Sequence, residues 1–110
     1  KIRINYASRM AKTSFQELIE SEKPVLIDFY ADWCGPCKAL APIIQQLKSE
    51  LGDQVRIVKI DVDRNPAIAQ QLQVQSIPTL MIFQQGELKW RVMGVQSLPV
   101  LKNQLAALTE

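Results

Sequence analysis

The segment Pro24–Tyr30, PVLIDFY, runs almost directly into Trp33-Cys34-Gly35-Pro36-Cys37 and from there into a helical pattern. A short apolar run rich in branched and aromatic residues, bounded by a turn signal, reads as a buried strand. The apolar residues Leu40, Ile43, Ile44, Leu47 and Leu51 then recur at helical spacing, which predicts a helix from Cys34 to about Glu50. Pro42 falls inside it and predicts a kink. A buried strand that feeds an amphipathic helix must bury that helix against a sheet, so the chain is restricted to a layered α/β architecture.

The rest of the pattern agrees. Ile2–Tyr6 is a strand candidate, and Thr13-Ser14-Phe15-Gln16 resembles a capping box that opens a helix to about Ser21, with Gln16 reaching back to Thr13. Arg56–Val62 predicts a second central strand. Asn65-Pro66 predicts a short helix with Asn65 as its cap. Thr79–Gln84 and Leu88–Met93 read as strands joined by a Gln85-Gly86 turn, and Ser97 caps a last helix through Leu98, Val100, Leu101, Leu105 and Leu108. The order β-α-β-α-β-α-β-β-α implies a central mixed sheet, with parallel strands followed by an antiparallel C-terminal hairpin, flanked by helices on both faces.

The 110 residues fit one domain, expected over 1–110, and 47% hydrophobic residues suffice for a core without metal or disulfide support. Thirteen basic and 11 acidic side chains leave a formal charge of +2 with no basic run, which argues against nucleic acid or an anionic membrane surface as partner. No apolar stretch approaches the roughly 20 residues that span a bilayer. The chain opens at Lys1 with no signal-like segment, so a cytoplasmic protein is expected. The missing initiator Met leaves an organellar or exported form open. There is no histidine, so acid–base chemistry falls to carboxylates, lysines, tyrosines or thiols.

Cys34 and Cys37 are the only cysteines. At a helix N-terminus negative charge is favoured, which lowers a thiol pKa and populates the reactive thiolate. A bond between them closes a four-residue ring, for which chain entropy supplies only about 2 kcal/mol. Such a bond is a poor staple and a good switch. Structural zinc takes four Cys or His ligands, so two cysteines hold a metal only if it is shared between chains. The remaining alternative is a pair of buried cysteines without chemistry.

The stretch Val25–Pro42, VLIDFYADWCGPCKALAP, resembles the active-site segment of the thioredoxin family, and a C-x-x-C beside a β-α-β pattern is the signature of that fold. Similarity continues through Lys59-Ile60-Asp61, Asn65-Pro66, Ser76-Ile77-Pro78-Thr79-Leu80, Gln85-Gly86 and Gly94, weakening only before about Lys23. The resemblance implies dithiol–disulfide oxidoreduction. It makes Cys34 the nucleophile, as the outermost sulfur at the helix N-terminus, and Cys37 the resolving thiol one turn deeper. Gly35 and Pro36 set the redox poise, and Pro36, where more oxidising members carry His, implies a reductant.

Asp28 interrupts the apolar strand on the same face as Leu26 and Tyr30, where a carboxylate is costly unless paired or protonated. The resemblance makes it the base that deprotonates Cys37, with Lys59 nearby modulating it. The alternatives are an exposed strand face for Asp28 and a solvated strand lysine for Lys59. By the same resemblance Pro78 is cis and faces the cysteines, while Ile77 offers its backbone to an extended substrate. Trp33, Gly35, Pro36, Ile77, Gly94 and Val95 then form a shallow docking surface, although Trp33 also reads as plain packing, as does Trp90. Tyr30 departs from the family, which often has Trp there, and adds a hydroxyl that needs a partner.

The expected function is therefore protein-disulfide reduction by a monomer that uses no cofactor and no metal. Its substrates are disulfide-containing proteins. A thioredoxin reductase restores the electrons, since no nucleotide-binding motif is present. The alternatives are an exported or organellar relative dedicated to a few targets, or a binding or chaperone subunit that uses the same surface.

Overall fold

The computed structural model describes residues 14–109. The Ile2–Tyr6 strand and the Thr13 cap lie outside them. A first helix, α1, covers residues 14–19. It is followed by β1 (Val25–Tyr30), α2 (Gly35–Leu51), β2 (Arg56–Asp61), α3 (Pro66–Gln71), β3 (Thr79–Gln84), β4 (Glu87–Met93) and α4 (Leu98–Ala106). The strands form one sheet in the order β2-β1-β3-β4, with β1 and β2 parallel and the β1–β3 and β3–β4 pairs antiparallel. The chain thus has an α/β fold with a mixed four-stranded sheet and flanking helices.

Alternation along β1 and β3 explains the two helical layers. Leu26, Leu80 and Ile82 face one side, where they meet Leu40, Ile44 and Leu47 of α2 and Leu101 and Leu105 of α4. Val25, Ile27, Phe29, Met81 and Phe83 face the other side, against Ile19 of α1 with Ile68 and Leu72 packed at the rim. Because β1 and β3 are covered on both faces, their sequences read as continuous apolar runs. Trp90 packs against the first of these clusters as a half-buried core aromatic.

Local chemistry refines several expectations. α2 continues through Pro42 to Leu51. Gln16 Nε2 donates forward along α1 to Glu20 Oε2 at 3.0 Å. Asn65 stands at the start of α3, but its side chain makes no capping bond. Its Nδ2 donates to the Asp61 carbonyl at 3.0 Å, because the preceding turn offers that acceptor within reach. Ser97 does cap α4, accepting from the Val100 N–H. The hairpin turn carries positive φ at both Gln85 (53°) and Gly86 (82°), the conformation that matches the right-handed twist of two paired strands. Among the described residues, no helix is long and apolar enough to cross a membrane.

Candidate active site

β1 delivers the chain at Tyr30 to a turn closed by the Cys34 N–H donating to the Ala31 carbonyl at 3.2 Å. Cys34 is then the N-cap of α2 in an extended conformation, and its Sγ accepts from the Cys37 N–H at 3.1 Å. A cysteine thus takes the capping role that Ser or Asp more often fills, placing its sulfur among the unpaired N–H groups of a helix start. Cys34 and Cys37 are joined by a disulfide, with Cα atoms 5.3 Å apart. Pro36 occupies the first turn of α2, where its missing N–H costs nothing.

The two cysteines are exposed by only 4% and 6%, so exposure does not rank Cys34 as the outer residue. Their inequality lies in the bonding instead: Cys34 Sγ sits at the cap and receives the helix N–H, whereas Cys37 lies within the first turn. Both pack with Ala31 into a small cluster bordered by Tyr30, Val62 and Ile77.

Ile77 closes the far side, its carbonyl oxygen 3.8 Å from Cys34 Sγ. The Ile77–Pro78 bond is cis. The segment is held by the Thr79 hydroxyl donating to the Ser76 carbonyl at 2.6 Å and by the Gly94 N–H donating to the Pro78 carbonyl at 2.8 Å. Pro78 itself is buried, while Gly35, Pro36 and Val95 are exposed and Ile77 and Gly94 half-buried. Trp33 is 71% exposed, which removes the packing alternative for it.

Within β1, Asp28 is 1% exposed, on the strand face that carries Leu26 and Tyr30. Its Oδ1 has no hydrogen-bond partner among the described residues. Burial pushes its carboxyl up to about 6, opposed by the positive charge of Lys59. Lys59 pairs in register with Asp28 across the parallel β1–β2 ladder, and its ammonium lies 4.5 Å from the centre of the Tyr30 ring. Asp28 is therefore not on an exposed face, whereas Lys59 is an exposed strand lysine whose ammonium lies over the Tyr30 ring.

The structure adds residues that sequence reasoning passed over. Asp63 Oδ2 accepts from the Trp33 indole N–H at 2.8 Å. Asp61, nearly buried, accepts from the Asp63 N–H at 2.9 Å and so shapes the turn that presents Asp63. Met93, 63% exposed, stands beside Gly94, and the Ser76 hydroxyl donates to its sulfur at 3.0 Å. A groove of about 780 Å³ opens next to the cysteine cluster, lined by Val62, Pro66, Ala69, Gln70, Val74 and Gln75. Its outer loop is clamped by Arg91, which donates to the Leu72 and Gln73 carbonyls at 2.6 and 2.8 Å. Asx-turn signals at Asp61 and Asp63 were readable in the sequence; the tie to Trp33 was not. Among the described residues, no three side chains of metal-ligating type come together.

Comparison with known proteins places this site in context. The Thioredoxin family model matches residues 7–107. A thioredoxin-like protein of Synechocystis sp. is 53% identical over 93 residues, covering 84% of this chain and 89% of the relative. A bifunctional thioredoxin reductase/thioredoxin of Mycobacterium leprae is 44% identical over 92 residues, covering 84% of this chain and 20% of that protein. Among solved structures, a thioredoxin variant from Halobacterium salinarum superposes with a TM-score of 0.80 at 39% identity, covering 89% of this chain and 85% of that one.

Proposed function

Because the chain belongs to the thioredoxin family and is a thiol–disulfide oxidoreductase with Cys34 and Cys37 as its redox pair, we propose that it is a general reductant of protein disulfides. The observation that carries this reading is the placement of Cys34 Sγ at the cap of α2, where the Cys37 N–H points at it. The positive end of the helix favours the thiolate at that sulfur in the reduced protein. Cys34 then attacks one sulfur of a substrate disulfide, and the other sulfur leaves as a thiolate that takes up a proton. A mixed disulfide remains.

Asp28 accepts the Cys37 proton, and the Cys37 thiolate attacks Cys34 Sγ. The Cys34–Cys37 bond forms as the bond to substrate breaks, so two electrons have passed to the substrate. An extended substrate strand docks against Ile77 and the surface formed by Trp33, Gly35, Pro36, Gly94 and Val95, with Pro78 shaping its floor. Lys59 adjusts the basicity of Asp28, and Gly35-Pro36 keeps the couple reducing.

In this reading one domain acts as a monomer in the cytoplasm, and a thioredoxin reductase returns the electrons. The Mycobacterium leprae relative, named for both activities in one polypeptide, supports that pairing. The test is reduction of insulin disulfides with a cognate thioredoxin reductase and its electron donor. Catalytic turnover is expected. Tight binding of insulin without turnover would instead make the chain a binding or chaperone subunit.

A further inference from the structure

Lys59 has two seats within its reach. Register puts it beside Asp28, the one carboxylate of the sheet interior whose Oδ1 lacks a hydrogen bond, yet the ammonium rests over the Tyr30 ring and forms no ion pair with Asp28 among the described residues. Residues 28 and 30 share a strand face, and residue 59 shares it too, since registered neighbours point the same way. The ring and the carboxylate therefore compete for one cation. An aromatic face is a real competitor: it attracts an ammonium without stripping it of all its water, whereas a buried carboxylate demands that both ions be desolvated.

We propose that Tyr30 is a positioning residue that seats the Lys59 ammonium on its ring, away from the Asp28 carboxylate, and so keeps Asp28 unpaired as a proton acceptor. The proposal rests on the reading of Asp28 as the base for Cys37. Few other groups intervene. The same face presents Asp61 of β2, whose carboxylate is occupied by the Asp63 N–H and by Arg64, and Cys37 of α2. From β3 the neighbour is Leu80, which carries no charge. Position 30, which also borders the cysteine cluster, thereby becomes a control on the chemistry through Lys59.

The titration of Asp28 in the oxidised protein, followed by carbon NMR of its labelled carboxyl group, reads this directly and without reference to activity. Tyr30→Leu frees the ammonium to approach Asp28, and the midpoint is expected to fall by about one pH unit, as for a carboxylate that gains a nearby cation. Tyr30→Phe keeps the ring and is expected to leave the midpoint within about 0.3 units of wild type on the same grounds. In a Lys59→Met background, Tyr30→Leu is expected to lose most of its effect. Should the leucine variant not fold, pentafluorophenylalanine at position 30 keeps the shape while reversing the ring's charge distribution, and the midpoint is expected to fall as with leucine.

Equal shifts for the Phe and Leu variants, an upward shift or none for the Leu or fluorinated protein, or a full effect persisting without Lys59 would each overturn the proposal. A midpoint that moves as expected while mixed-disulfide resolution keeps its pH profile would support the seating of Lys59 and would count against Asp28 as the base.

Discussion

The Trp33 indole N–H donates to Asp63 Oδ2 at 2.8 Å, tying the turn before α2 to the turn after β2. A large exposed aromatic is thereby held in one orientation beside the cysteines. Asp63→Ala removes the acceptor from an exposed site, where water can replace the lost bond and the net cost falls to about 1 kcal/mol, below that of a buried bond to a charged group. Thermal stability should change little. Substrate docking should suffer more, with KM for a protein disulfide rising several-fold at nearly constant kcat. An unchanged KM in steady-state insulin reduction would show that the orientation of Trp33 is irrelevant to docking.

Pro36 stands in the first turn of α2, and its replacement alters how well that turn stabilises negative charge on Cys34. Pro36→His adds a titratable donor there, which favours the dithiol form with Cys34 ionised and makes the couple more oxidising. Each 30 mV corresponds to about 1.4 kcal/mol for a two-electron couple, so even a modest gain is measurable. Equilibration with glutathione should place the variant at a less negative potential than wild type. A shift to more reducing values would contradict the argument.

Asp28 links catalysis to stability through its burial. Its carboxyl is pushed from the ordinary 3.8 up to about 6 by desolvation, with Lys59 opposing. A raised carboxylate pKa means that the fold prefers the protonated form. Its contribution is intact below about pH 4, declines as pH rises, and is lost above about pH 6. Ionisation in the fold then costs at most on the order of 3 kcal/mol. Asp28→Asn should therefore be more stable than wild type at pH 8 by about 1–3 kcal/mol, less whatever its own buried amide costs, with the difference closing by pH 4. It should also slow resolution of the mixed disulfide by at least about tenfold. Denaturant titrations at both pH values and stopped-flow rates between pH 6 and 9 check the two halves separately.

Gly94 has φ of 90° and its N–H is bonded to the Pro78 carbonyl at 2.8 Å. A Cβ added there meets nothing within 4 Å, so steric contact contributes no cost. The backbone conformation does: Gly94→Ala should destabilise by about 1–2 kcal/mol, measured by urea unfolding. Relaxation of φ would loosen the bond to Pro78 and weaken substrate docking. A variant as stable as wild type would mean that the loop adapts at no cost.

α2 is legible from its helical period and β1 from an unbroken apolar run bounded by a turn signal, and the cysteine turn between them follows from that boundary. Asp28 was legible for the opposite reason: a lone carboxylate in an otherwise apolar strand is an anomaly that only burial chemistry resolves. The contacts between distant turns were not. Nothing in the spacing of Trp33 and Asp63, or of Arg91 and the Leu72 and Gln73 carbonyls, marks them as partners, since the fold brings them together through the ends of separate strands. Lys59 was expected beside Asp28 and is, yet its preference for the Tyr30 ring depends on side-chain competition that periodicity does not encode. Asn65-Pro66 marks the start of α3, and Asn65 does stand at its N-cap position. Its Nδ2 donates to the Asp61 carbonyl, however, and no helix N–H bonds its side chain, a choice of contact that residue type does not encode.

The division of labour between the two sulfurs is the core of the account, and covalent trapping measures it most directly. Purified Cys37→Ser protein, reduced and mixed with a disulfide-containing substrate, should accumulate a mixed disulfide through Cys34, visible as a reductant-sensitive adduct on a non-reducing gel and by intact mass. The Cys34→Ser protein should trap none and should be inactive in turnover. Capture of substrate by Cys34→Ser, with none by Cys37→Ser, would reverse the roles assigned to the two cysteines.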